Sequence, residues 1–117
     1  KLKILPTGEG ALENGFVAFG DGTAGGQLVR CGVRVRAKKC CIMQGAGKKG
    51  STAARDFVWE GGKPLEVVVS VDLEAKKVKM TLSGQTVEAT LDPPLRAITH
   101  VGYCVMNAVT EFSPLVP

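Results

Sequence analysis

Between Leu65 and Leu73 the chain places an apolar residue at every second position, Leu65, Val67, Val69, Val71 and Leu73, with Glu66, Ser70 and Asp72 between them. Successive side chains of an extended backbone point to opposite faces, so a period of two predicts a strand with one apolar and one polar face. Glu74 to Lys76 can reverse the chain into Val78, Met80 and Leu82, which alternate with Lys77, Lys79 and Thr81. Ser83-Gly84 is a two-residue hairpin signal, and Val87, Ala89 and Leu91 give a third strand. Such a meander must cover its apolar face. Its register is pinned, because a slip of one residue would turn every apolar side chain to solvent. An all-β, antiparallel sandwich is therefore expected.

The first half of the chain repeats the pattern less cleanly. Val29, Cys31, Val33 and Val35 alternate with Arg30, Gly32, Arg34 and Arg36, which predicts a half-buried strand with an arginine face. Ahead of it, GFVAFG from Gly15 to Gly20 is a short apolar run closed by the turn-rich Asp21 to Gly26, and Lys39 to Met43 returns as a further strand. Gln44 to Ala54 has three glycines, two lysines and no apolar periodicity, and reads as an exposed, flexible loop. After the apolar Phe57, Val58 and Trp59, a turn is expected at Gly61 to Pro64, and Asp92-Pro93-Pro94 must interrupt any ladder. A last strand is expected from Ile98 to about Met106, with Val101, Tyr103 and Val105 on one side, then a final piece from Val109 to Val116 around Phe112. No 3.6-residue stripe lasts three turns, so at most one helical turn is expected.

The 117 residues suit one domain, 1–117, with a single core. No run of about 18 apolar residues occurs, so a soluble chain without a membrane-spanning helix is expected. The chain begins at Lys1 with no segment resembling a secretion signal, which favours processing or excision from a longer polypeptide. Cys31, Cys40, Cys41 and Cys104 contain no CxxC and are joined by one histidine, His100, so buried thiols are expected rather than zinc or a disulfide framework. A formal charge of +4 favours an anionic partner. Nucleic acid is disfavoured, because the basic residues are not interleaved with aromatics in a module pattern.

The stretch from Leu65 to Leu115 resembles the back half of a concanavalin A-like or laminin-G-like jelly roll. The small turn Ser83-Gly84, the spacing of Leu95, Ile98, Val101, Gly102 and Tyr103, and the pair Phe112 and Leu115 carry the likeness, which GFVAFGDG extends back to Gly15. The resemblance implies a jelly-roll sandwich and favours a secreted or extracytoplasmic setting. Domains of that kind are usually longer, so strands supplied by a partner chain or a flanking domain are part of the expectation.

Glycan-cleaving members of that superfamily carry an E-x-D-x-x-E strand that holds two carboxylates about 5 Å apart. This chain has none. Glu66 and Asp72 lie six residues apart on one strand, and Glu9, Glu13 and Glu111 fall in unrelated segments, so surface acids are the simpler reading and no catalytic residue is assigned. His100 and Cys104 share a face of one expected strand, which leaves a Cys–His pair open. Laminin-G domains often bind calcium, for which Asp21 in FGDGT is the candidate ligand, with Asp72 and Asp92 as partners, although Asp-Gly also simply forms a turn. DGTAGG and GAGKKGS do not match a phosphate loop.

The basic residues carry the remaining expectation. Arg30, Arg34 and Arg36 project from one strand, and a stripe would form if Lys77 and Lys79 shared that sheet. Guanidinium groups pair bidentately with carboxylates and sulfates, so an acidic or sulfated glycan is the expected ligand, with Trp59, Phe57 and Tyr103 as candidate stacking rings. An ordinary solvated face is the alternative. Three functions remain open: a non-catalytic carbohydrate-binding or accessory module of a carbohydrate-active protein, a structural or protein-interaction sandwich, and a fragment of a glycan-cleaving enzyme.

Overall fold

The computed structural model describes residues 2–6, 14–21, 27–35, 37–45, 51–58, 65–92, 95–105 and 110–112, with the backbone alone for 2–6, 51 and 110–112. Along them run the strands β1 (Leu2–Pro6), β2 (Asn14–Gly20), β3 (Leu28–Arg34), β4 (Lys39–Gln44), β5 (Ser51–Asp56), β6 (Leu65–Asp72), β7 (Lys77–Leu82), β8 (Gln85–Thr90), β9 (His100–Cys104) and β10 (Thr110–Phe112). They form two five-stranded sheets, ordered β10-β1-β6-β7-β8 and β5-β4-β3-β2-β9. Every pairing is antiparallel. The chain starts in the first sheet, builds β2 to β5 in the second, returns for β6 to β8, and contributes β9 and β10 to alternate sheets.

The expected meander is present in its expected register. Val67, Val69 and Val71 stand opposite Leu82, Met80 and Val78, and Met80 and Val78 in turn face Val87 and Ala89. Ser83 and Gly84 both have positive φ, 43° and 76°, the left-handed pair that lets a two-residue turn follow the twist of its strands. At the other end Lys76 is left-handed, and Asp72 Oδ1 accepts a hydrogen bond from the Ala75 amide at 2.9 Å. The inward residues of both sheets meet in one core. Val17, Phe19, Val29, Cys31, Val33, Cys40 and Ile42 come from the second sheet, and Leu65, Val67, Val78, Met80, Leu82 and Val87 from the first. Large aliphatic and aromatic side chains buried in this way each contribute about 1.5–3 kcal/mol against the entropy of ordering the chain. The arrangement is sandwich-like.

Two polar ties hold the sheets together. Gln44, at the end of β4, is buried; its amide donates to the Thr90 carbonyl at 2.8 Å, while its Oε1 accepts from Gln27 Nε2 and the Asp92 amide, both at 3.0 Å. These partners fix the orientation of the amide. At the other end of β4, Arg55 on β5 donates from Nη1 to the Thr86 carbonyl of β8 at 3.0 Å.

Three expectations need correction. Residues 51–54, read as loop, belong to β5, an edge strand on which only Ala53 joins the core, so it has no apolar alternation to betray it. β1 escaped notice, because Leu2–Pro6 is short and contains a proline. The strand expected from Ile98 is confined to His100–Cys104, and Met106 lies outside the described residues.

The four cysteines are free thiols: Cys31, Cys40 and Cys41 are buried and Cys104 is half-buried. Burial is the main cause of the Cys31 thiol being pushed up to about 12.

Candidate ligand-binding face

Arg30 and Arg34 lie on the outer face of β3, with Gly32 between them, because Val29, Cys31 and Val33 occupy the core. In register, Gly32 stands opposite Phe16 on β2 and Cys41 on β4, and Phe16 in turn faces Cys104 on β9. Only glycine fits the middle of this row. A Cβ at position 32 would come within 2.0 Å of the Gly15 carbonyl oxygen and 2.8 Å of the Phe16 Cα. Phe16 and Cys41 belong to an outer face and are nonetheless 0% and 1% exposed. This departs from the expected arginine-lined surface, since the two arginines border an apolar strip.

Both guanidiniums reach the sulfur of Cys41 electrostatically and pull its pKa down, yet desolvation outweighs them and pushes the thiol up to about 11. Cys41 is thus a packed thiol, held in its neutral form by burial.

The next row of the same face is polar. Arg34 stands between Asn14 and Lys39, and Lys39 faces Asp56 on β5. Lys39 Nζ and Asp56 Oδ1 form a hydrogen-bonded ion pair that holds the Asp56 carboxyl below the usual carboxylate range. The row ends in an open depression of about 620 Å³ lined by Lys39, Ala54, Arg55, Asp56 and Gln85. Arg30, Arg34 and Lys39 thus share this face, with Asp56 as the carboxylate among them, whereas Arg55 stands opposite the core residue Cys40 and turns to the inner side, towards Thr86. Lys39 is a further cation of this face, legible in the sequence as the outward neighbour of the core residue Cys40.

Lys77 and Lys79 lie elsewhere. They occupy the outer face of β7, in the first sheet, so no stripe joins them to the arginines. The reason is topological: β5 and β6 belong to different sheets, so the outer face of the β6–β8 meander lies on the opposite side of the molecule. Lys77 stands between Asp72 and Thr90 and donates to Thr90 Oγ1 at 3.0 Å, and Lys79 stands between Ser70 and Glu88. Each lysine is matched by a carboxylate across the strand, and the depression here, about 300 Å³, is lined by Ser70, Asp72, Lys77, Lys79 and Glu88 with Val71 and Val78.

The aromatic candidates separate as well. Phe57 is a core residue and Tyr103 is exposed on β9, while Trp59, like Arg36, lies outside the described residues. His100 and Cys104 share the outer face of β9 but are four residues apart on an extended strand, about 13 Å, so they cannot form a dyad. His100 Nδ1 instead pairs with Thr99 Oγ1 at 2.9 Å. Among the described residues no three His, Cys, Asp or Glu side chains form a metal-binding group. Asp72 is engaged in the β6–β7 turn.

Comparison with models of known families, with curated proteins and with solved structures finds no match.

Proposed function

We propose that this chain is a non-catalytic carbohydrate-binding or accessory module, a jelly roll of concanavalin A-like type, whose ligand is an acidic or sulfated glycan lying across the outer face of the second sheet. The observation that carries the reading is the spacing of Arg30 and Arg34. They project from the same face of β3 with no side chain between them, about 13 Å apart along the strand, and Lys39 stands beside Arg34 on β4. Cations so spaced suit successive anionic groups of an extended polymer better than one small anion. The passage of the chain between two antiparallel sheets supports the jelly-roll reading.

The test is retention on acidic and neutral polysaccharides in affinity electrophoresis. Retention by sulfated or uronate polymers is expected, falling as salt screens the charges. The double variant R30Q/R34Q should lose it, and K77Q/K79Q, on the opposite face, should keep it. Equal retention by all three proteins, or none by the wild type, would overturn the reading.

A second reading, a protein-interaction sandwich, is favoured by β9, where Val101 and Tyr103 are exposed on an edge strand.

A further inference from the structure

We propose that β9 is a self-pairing edge through which two copies of this chain join their second sheets, antiparallel and centred on Gly102. Sheet edges offer rows of backbone donors and acceptors to any passing strand, and proteins guard them with charge, proline or bulges. Four strands end the two sheets here: β8 and β10 in the first, β5 and β9 in the second. By sequence β5 carries Arg55 and Asp56, β8 carries Glu88 and β10 carries Glu111. β9, HVGYC, holds neither a proline nor any Lys, Arg, Asp or Glu.

This unguarded edge also shows apolar surface. Val101 is 54% exposed, Tyr103 46% and the adjoining Val105 40%. Val101 and Tyr103 stand in register with Phe19 and Val17, both core residues, so they continue the apolar inner face of the second sheet to its rim.

A second copy fits this edge better than a charged peptide, because the strand offers no countercharge and is complementary to itself. Antiparallel pairing about Gly102 sets Val101 against the partner's Tyr103, His100 against the partner's Cys104, and Gly102 against the partner's Gly102. The two-fold axis makes each Val–Tyr pair occur twice, an aromatic and β-branched combination that stabilises antiparallel strands. No like charges oppose one another, although the molecule carries +4 overall. A side chain is tolerated at the centre: a Cβ built on Gly102 meets no heavy atom within 4 Å. In the resulting ten-stranded sheet both arginine faces lie on one side, which would let a single polymer engage two modules and gain avidity without new contacts.

The experiment is sedimentation of the whole chain over a wide concentration range, with two variants whose cooperative unfolding is checked first. The wild type is expected as a dimer, and V101K as a monomer or with a dimer dissociation constant raised about tenfold or more. G102C, in a C104S background, is expected to cross-link under mild oxidation, because directly opposed residues fall within disulfide range. S70C, on the outer face of the first sheet and in the same background, is expected not to. A monomeric wild type, a dimer indifferent to V101K, or a G102C dimer that fails to cross-link would each overturn the proposal. Glycan retention by a monomer would leave the carbohydrate reading standing, and a dimer without retention would refute that reading alone.

Discussion

The outer faces of the two sheets have the same strand geometry and opposite character. On the first, Glu66, Ser70, Asp72, Lys77, Lys79, Glu88 and Thr90 are all exposed, and each lysine faces a carboxylate across the strand. On the second, Asn14, Phe16, Gly32 and Cys41 are buried although they belong to the outer face, whose charges are predominantly positive. A face of alternating charge matched across its strands satisfies itself and needs only water. The other face combines a closely packed strip with an excess of cations, and an anion from outside can complete it. This contrast, more than the net charge, separates a solvated surface from a candidate for binding.

The sharpest way to break the comparison is to cut a side chain from each face. Phe16→Ala should destabilise by about 3–5 kcal/mol in denaturant unfolding, as a core aromatic does, although the residue lies on an outer face. Lys79→Ala should stay within about 0.5 kcal/mol. If the two values come out alike, Phe16 is an ordinary surface residue and the contrast fails. Gly32→Ala sharpens the same point, since its methyl would have to displace backbone; a loss of about 1–3 kcal/mol is expected, whereas Gly102→Ala, with open space around it, should be nearly silent in thermal unfolding.

Gln44→Leu tests what both faces rest on. It would leave the Thr90 carbonyl, the Asp92 amide and Gln27 without the partner they share, at a cost of about 1–3 kcal/mol by chemical denaturation. Gln44→Glu should recover only part of this, because it still accepts but cannot donate to Thr90 when ionised. A smaller effect is expected with pH. The folded pKa values of Cys31 and Cys41 are raised above the ordinary 9.0, so the unfolded chain loses these protons first. Their contribution is complete below about pH 9 and is lost as the pH climbs towards 11 and 12. Replacing Cys41 by Ala should flatten that alkaline decline in the unfolding midpoint, and an unchanged slope would contradict its burial.

Legibility in the sequence followed the same division. β6, β7 and β8 were readable because each has one solvated face, so Val67, Met80 and Val87 alternate with Glu66, Lys79 and Glu88. The Ser83-Gly84 turn was legible too, from its residue types alone. β2 and β4 were readable only as apolar runs, because Phe16 and Cys41 are buried on one face while Val17 and Ile42 are buried on the other. Alternation cannot show which face is which when both are buried. β5 was hidden for the opposite reason, having almost no apolar face. Of the candidate site, the arginines of β3 were visible as an outward set. Their separation from Lys77 and Lys79 was not, because the crossover between sheets after β5 leaves no mark in the periodicity.

Under the proposed function, the second sheet's outer face, and not the first's, receives an anionic glycan. The direct measurement is a two-dimensional amide NMR titration with a sulfated or uronate oligosaccharide. Shifts gathered at Arg30, Gly32, Arg34, Lys39 and Cys41, with Lys77, Lys79 and Glu88 unmoved, are the predicted result. Shifts centred on β7 and β8, or none at ligand concentrations that saturate retention, would contradict it.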